Sequence, residues 1–181
     1  MRKLLLAINI SLDGFADHTV AIADDELHEF SSGLLDDTDI ALFGRVTYQL
    51  MENYWPHAHE DPNATKAELD FSDKFNAIQK IVFSRTLQKA EWNNTRLIKD
   101  NMVEEVVKLK QQDGKAISLG GISIAQEFMR RDLIDEYWLA VQPVVAGKGR
   151  RLFENLTGKI KLKLIGTLKF KSGVLVLHYR Q

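Results

Sequence analysis

The chain contains no cysteine. Disulfide staples, thiolate-held metals and cysteine nucleophiles are thereby excluded together. Charge of one sign is also lacking: 24 Lys and Arg stand against 25 Asp and Glu, for a net charge of -1. Nothing global then favours nucleic acid or an acidic membrane as a partner. No apolar run approaches the roughly 20 residues that cross a bilayer. The start, Met1 to Ile10, is basic and then apolar in the manner of a short secretory leader. Its apolar run is too short, however, and Asn9, Ser11 and Asp13 interrupt it. A first core strand and a cytoplasmic protein are expected instead. There is no internal repeat, low-complexity tract or linker composition. The 181 residues, 45% of them hydrophobic, suffice for a single domain over 1–181 with a substantial core.

What is present is a series of buried-strand patterns, most of them followed by a helical pattern. Lys3 to Ile10 reads as a strand ended by the Asp13-Gly14 turn. Asp24, Asp25 and Glu26 precede Leu27, Phe30, Leu34 and Leu35, the acidic start and apolar spacing of an amphipathic helix. Ile40 to Phe43 is apolar throughout, and Gly44 then leads into Val46, Leu50 and Met51 at helical spacing. Asn53 to Ala64 is expected to be a long loop, and Leu69, Phe71, Phe75 and Ile78 a short helix. Further strands are expected at Lys80–Ser84, Thr95–Ile98 and Ala116–Leu119, with helices from Met102 and around Ile124, Phe128 and Met129. The last third predicts a long strand, Glu136 to Val145, and a hairpin turning at Lys171-Ser-Gly173. This alternation argues for a mixed, mostly parallel sheet between helical layers, ending in antiparallel strands.

Three strand exits share a chemistry. Phe43-Gly44-Arg45, Phe83-Ser84-Arg85 and Leu119-Gly120-Gly121 each release a buried strand into glycine, hydroxyl or arginine. Ligands of open α/β sheets bind outside the C-terminal ends of the strands. Helix starts offer unpaired N–H groups to anions, and guanidinium forks match phosphate oxygens. Each exit alone is equally a plain turn or a surface arginine; together they describe a polyphosphate site. Neither a Gly-x-Gly-x-x-Gly nor a Walker lysine motif is present.

Ile10-Ser-Leu-Asp-Gly14, Gly44-Arg-Val-Thr-Tyr48 with Trp55 after it, Ser84-Arg85-Thr86, Gly120-Gly121, Leu133-Ile-Asp-Glu136, Pro143-Val-Val-Ala-Gly147 and Leu152-Phe153 follow one another in the order of a known family. The chain resembles the dihydrofolate reductase superfamily. Within it, the chain is most similar to the C-terminal reductase domain of the bifunctional riboflavin-biosynthesis deaminase/reductase. The resemblance implies a three-layer α/β/α sandwich that binds NADPH. It implies that Gly44, Arg45, Val46 and Thr47 hold cofactor phosphates, and that Ser84 and Arg85 hold the 2′-phosphate. It also implies that Gly120 and Gly121, with Ile122, Ser123 and Ile124, cradle the pyrophosphate, and that the backbone near Ala7 meets the nicotinamide carboxamide. A homodimer through the C-terminal strands is implied as well. The deaminase half, with its zinc-ligand cysteines, has no counterpart here.

The remaining candidates each have two readings. Asp13 is a turn aspartate or a group beside the nicotinamide. Glu26 is a first-turn capping acid or the proton donor. Trp55 stacks a planar substrate or anchors the core. His57 and His59 read as a solvated loop, with no third ligand and therefore no metal. Lys148, Arg150 and Arg151 form an exposed basic loop or meet an anionic substrate. The expected activity is NADPH-dependent reduction of a small heterocyclic or carbonyl-bearing molecule, with Asp13, Glu26 or water supplying the proton. The alternatives are a nucleotide-binding sensor or carrier without turnover, and the riboflavin-pathway reductase itself.

Overall fold

The structure is a computed structural model and describes residues 1–16 and 18–181. The described residues form eight strands, β1 (Leu4–Ser11), β2 (Thr38–Gly44), β3 (Gln79–Phe83), β4 (Thr95–Ile98), β5 (Ala116–Gly120), β6 (Glu136–Gln142), β7 (Lys163–Lys169) and β8 (Leu175–Arg180). They also form five α-helices, α1 (Asp25–Asp36), α2 (Arg45–Glu52), α3 (Lys66–Ala77), α4 (Met102–Gln111) and α5 (Ile122–Arg130). All eight strands lie in one sheet, in the order β4-β3-β2-β5-β1-β6-β8-β7. The first six in that order run parallel, while β8 is antiparallel to both β6 and β7.

Strand periodicity assigns the two faces. In β1, Leu4, Leu6 and Ile10 join Ile117, Leu119, Tyr137 and Leu139 in the larger apolar cluster, under α4 and α5. The alternate residues of β1, Ala7 and Asn9 among them, face the other way. On that side α1 and α3 cover Ala41, Phe43 and Val82, and the start of α1 also covers Ala140 and Val176. This is a helix–sheet–helix sandwich, as the strand–helix alternation predicts.

Local chemistry sets the element ends. Asp24 caps α1 by accepting from the Leu27 N–H at 2.9 Å. Thr65 and Glu68 close a capping box on α3. The expected strand from Glu136 to Val145 stops at Gln142, since Pro143 has no N–H to continue the ladder. The expected loop of 53–64 contains a 3-10 turn, Trp55–Glu60, opened by Pro56 and ending two exposed histidines into solvent. The expected short helix around Phe71 runs to twelve residues.

Two buried lysines fasten helix ends. Lys80 Nζ donates to the carbonyls of Phe75, Asn76 and Ile78 at 2.9, 3.2 and 2.9 Å, at the end of α3 where the helix no longer supplies donors. Its ammonium lies 4.7 Å from the ring of Trp92. Lys110 at the end of α4 pairs with Asp135 at 2.6 Å, and Asp135 also accepts from the Leu4 N–H. That pair joins α4 to the starts of β1 and β6.

Candidate functional site

The site begins with the register of the central strands. Phe43 of β2 lies opposite Gly120 of β5, and Gly44 lies opposite Phe83 of β3. Leu6 of β1 is opposite Leu119, which sets Ala7 alongside Gly120. The C-terminal ends of β3, β2, β5 and β1 are therefore neighbours, and Arg85, Arg45 and Gly121 leave adjacent strands at one edge of the sheet.

At that edge α2 and α5 start against each other. A Cβ built on Gly121 would lie 2.7 Å from Thr47 Oγ1, and one on Gly44 would lie 3.6 Å from Ile124 Cγ2. Gly121 also has φ +110°, which side-chain-bearing residues rarely adopt. Gly120 is confined by the Phe43 ring, 3.0 Å from where its Cβ would be. Gly44 differs from both. Its φ is −81°, open to any residue, and its Cβ site has only ordinary contacts. Neither conformation nor internal packing requires glycine there.

Gly44 and Gly121 are the N-cap residues of α2 and α5, and neither helix has a side-chain cap. The free N–H groups of Arg45, Val46 and Thr47 thus open beside those of Ile122, Ser123 and Ile124. Each end carries roughly half a positive charge. The start of α4 also lacks a side-chain cap, but Asn101 precedes it in a left-handed turn rather than at a strand exit of this kind.

The side chains around this notch have distinct tasks. Arg45 is exposed and donates to Gln49 at 3.0 Å. Ser84 Oγ accepts from the N–H groups of Thr86 and Leu87 at 3.2 and 3.0 Å, forming a tight turn, and lies 3.4 Å from Thr86 Oγ1. Arg85, exposed in that turn, makes no ion pair among the described residues. Arg150 reaches in from the segment after β6 and donates to Ser123 Oγ at 3.0 Å, in the first turn of α5. A spacing of 27 residues hides that neighbour in the sequence. Lys148 and Arg151 are exposed, and the Arg151 guanidinium lies 4.8 Å from the centre of the Phe15 ring rather than in the notch.

Both acids singled out from the sequence are occupied. Asp13 accepts from the Ser11 hydroxyl at 2.6 Å and from the N–H groups of Ala146 and Gly147 at 3.0 and 2.8 Å. The Ser11 bond above all, with the backbone donors, holds its pKa down at about 2. Such a carboxylate staples the loop after β1 to the loop after β6 and has no proton to donate near neutrality. Glu26 accepts from the Lys171 N–H at 2.7 Å, so it ties the start of α1 to the β7–β8 hairpin, while Asp24 does the capping. Trp55 packs edge-on to Phe71, ring centres 4.6 Å apart, and 5.7 Å from buried His28. It is a partly buried wall of the cluster between α1 and α3. His57 and His59 each face a separate surface carboxylate, Glu60 at 3.0 Å and Asp73 at 2.7 Å.

A depression of about 410 Å³ between Ala77, Gln79 and Asn94–Arg96 lies at the opposite, N-terminal ends of β3 and β4. Its arginine, Arg96, is already paired with Glu105.

Comparison with known proteins identifies the family and the fold. The model of the RibD C-terminal domain family matches residues 2–176. The chain belongs to that family. Two relatives from Bacillus subtilis strain 168 cover nearly its whole length. The uncharacterized protein YyaP is 35% identical over 182 residues, 98% of this chain and 94% of its own. The uncharacterized protein YwjB is 31% identical over 185 residues, 98% of this chain and 97% of its own. Among solved structures, a putative riboflavin biosynthesis protein from Shewanella sp. PV-4 superposes with TM-score 0.72 at 19% identity, covering 99% and 98% of the two chains. The Thermotoga maritima diaminohydroxyphosphoribosylaminopyrimidine deaminase/5-amino-6-(5-phosphoribosylamino)uracil reductase gives TM-score 0.68 at 18% identity, over 99% of this chain and 56% of that one. Dihydrofolate reductase from Enterococcus faecalis, in complex with NADP(H), gives TM-score 0.62 at 13% identity over 98% and 95%. At these identities the structural likeness establishes the fold, which is that of dihydrofolate reductase.

Proposed function

We propose that this member of the RibD C-terminal domain family is an NADPH-dependent reductase of a small heterocyclic or carbonyl-bearing molecule. The observation that carries the reading is Gly44. It is a glycine that the fold does not need, set between two uncapped helix starts at the common edge of β2 and β5. Close approach of a phosphorylated ligand supplies the missing reason for it. When bound, NADPH supplies the hydride.

The protein's part is to hold and orient. The N–H groups at the starts of α2 and α5 would take the pyrophosphate, with Thr47 and Ser123 adding hydroxyls. Arg85, with the Ser84 hydroxyl, would take the 2′-phosphate. The backbone at Ala7 would meet the carboxamide end. With Asp13 and Glu26 both engaged elsewhere, the proton would come from water or from the substrate's own surroundings.

The test is fluorescence titration with NADPH and NADH. Wild type binds NADPH more tightly. Arg85→Ala loses about tenfold in NADPH affinity, the worth of one charge-assisted contact, and little for NADH. Equal affinity for the two cofactors in wild type, or equal loss in the variant, refutes the 2′-phosphate role.

A second reading keeps the nucleotide and drops the turnover. The engagement of both candidate acids favours it. Bound NADPH that is not oxidised by any of a panel of pterin, flavin-precursor and quinone compounds would establish it.

We also propose a homodimer. The outermost strand, β7, leaves Leu164, Ile165 and Leu168 about half exposed (51, 41 and 48%) along an unpaired edge, a surface that a second copy would cover. No helix among the described residues is long and apolar enough to cross a membrane, which fits our placing of the protein in the cytoplasm.

A further inference from the structure

Asn9 is a polar residue within a largely apolar strand, and its surroundings fix what it can do. The backbone N–H of Ile22 can only donate, and it donates to Gln142 Oε1 at 3.0 Å. That bond sets the orientation of the Gln142 amide, whose side chain is fully buried. Its Nε2 group then donates to Asn9 Oδ1 at 3.0 Å. The Asn9 oxygen is thereby turned toward Gln142 and the orientation of its amide set in turn. What remains is the Nδ2 group, a pair of donors with no protein partner among the described residues. It is not one of the buried polar atoms sealed without a partner, so it opens outward. Three groups from separate parts of the chain thus present one donor of fixed sense. Hydrogen bonds aligned head to tail in this way also strengthen one another.

The location gives that donor a use. Asn9 lies on the same face of β1 as Ala7, two residues and roughly 6.8 Å further along the strand. That is about the width of one substituted six-membered ring beyond the point at which the carboxamide end of the cofactor would rest. The loop that carries Ile22 lies on the same face, just before the start of α1.

We propose that Asn9 is a substrate-binding residue whose Nδ2 group donates to an sp² acceptor, a carbonyl oxygen or ring nitrogen, on a planar heterocyclic substrate, with Gln142 as the residue that positions it. This deepens the reductase reading and rests on its placing of the nicotinamide near Ala7. Because the Asn9 oxygen is turned toward Gln142 and the Nδ2 group outward, the site favours acceptors at this point over groups that can only donate.

The test uses uracil, which offers carbonyl oxygens, and pyrimidine, which offers ring nitrogens alone, as probes on NADP⁺-saturated protein, followed by ligand-observed NMR. Asn9→Asp is the first variant. It still accepts from Gln142 Nε2, so the fold is retained, but it presents oxygen where wild type presents N–H. Gln142→Glu is the second. It still accepts from the Ile22 N–H but has no donor to orient Asn9. We expect at least one probe to bind wild type, with affinity reduced tenfold or more in Asn9→Asp and by a smaller factor in Gln142→Glu, while NADPH affinity stays within threefold. Preference for uracil assigns a carbonyl acceptor, and preference for pyrimidine a ring nitrogen. Binding of neither probe to wild type, or equal binding to wild type and Asn9→Asp, overturns the proposal. So does a fall in NADPH affinity that matches the fall for the probes. Failure of wild type to bind NADPH would instead refute the reductase reading, and a probe affinity that depends on Asn9 in the nucleotide-free protein would still stand.

Discussion

Thr47 Oγ1 occupies the space that a Cβ on Gly121 would need, 2.7 Å from its ideal position. Two helices that follow different strands therefore interlock at their first turns. Gly121→Ala would meet both this clash and the strain of φ +110°. We expect it to cost about 3 kcal/mol, seen as a thermal midpoint lowered by roughly 10 °C, along with lost NADPH binding. Gly44→Ala separates the two effects. Its backbone and packing accept a methyl group, so its midpoint should stay within a few degrees while NADPH affinity falls tenfold or more. A Gly44→Ala protein that binds NADPH normally would remove the observation on which the reductase proposal stands.

Asp13 predicts an acid transition confined to the loops. Its folded pKa of about 2 lies below the ordinary 3.8, so its contribution is fully present above pH 4 and is lost as pH falls from 4 toward 2. Hydrogen exchange at Ala146 and Gly147 should accelerate across that window. In Asp13→Asn it should be fast at every pH and should show no such step. Retention of the step in the variant would assign it to another group.

Lys80 is a fully buried cation. Lys80→Met removes the ammonium that the Phe75 and Ile78 carbonyls share, while the Asn76 carbonyl keeps the Asn94 Nδ2 donor at 3.1 Å, and we expect a loss of about 2–4 kcal/mol in urea denaturation. Burial lowers its pKa from 10.5 to about 8. The folded protein thus binds the proton less tightly than the unfolded chain. The penalty is complete below pH 8 and is relieved as pH rises from 8 to 10.5. The stability difference between wild type and Lys80→Met should therefore widen with pH through that range. A difference that narrows would show that the ammonium, held by three carbonyls and Trp92, is favoured after all.

The β7 edge predicts assembly. Leu164→Lys with Leu168→Lys adds two charges to an exposed apolar strand edge. Sedimentation should show a dimer for wild type and a monomer for the double variant, with little change in the thermal midpoint at high dilution. A monomeric wild type would leave the exposed leucines without the proposed role.

The strand pattern was legible in the sequence because β2 and β3 are buried on both faces and read as the apolar runs Ile40–Phe43 and Ile81–Phe83. The glycine exits were legible for a related reason, since a strand that passes straight into a helix leaves no room for other signals. The fates of Asp13 and Glu26 were not legible. Each accepts from backbone N–H groups 133 to 145 residues away, and such donors carry no side-chain signature. Asn9 looked only like an interruption of an apolar run. Its partner Gln142 lay inside a strand that sequence alone extended past Pro143. Arg150 was placed in a basic loop, and only the fold brings it to Ser123.

The staple at Asp13 has a mechanical side. Backbone bonds from Leu12 to Val144 and from Ala16 to Arg150 flank it, so the chain beyond the first strand and the chain beyond the sixth are laced into one flap. Arg150, carried on that flap, touches α5, and the strand that enters it bears Ala7 and Asn9. If the proposed nucleotide binds, its phosphate end and its ring end would thereby meet two parts of one flap, joined by the Asp13 carboxylate and the backbone bonds beside it.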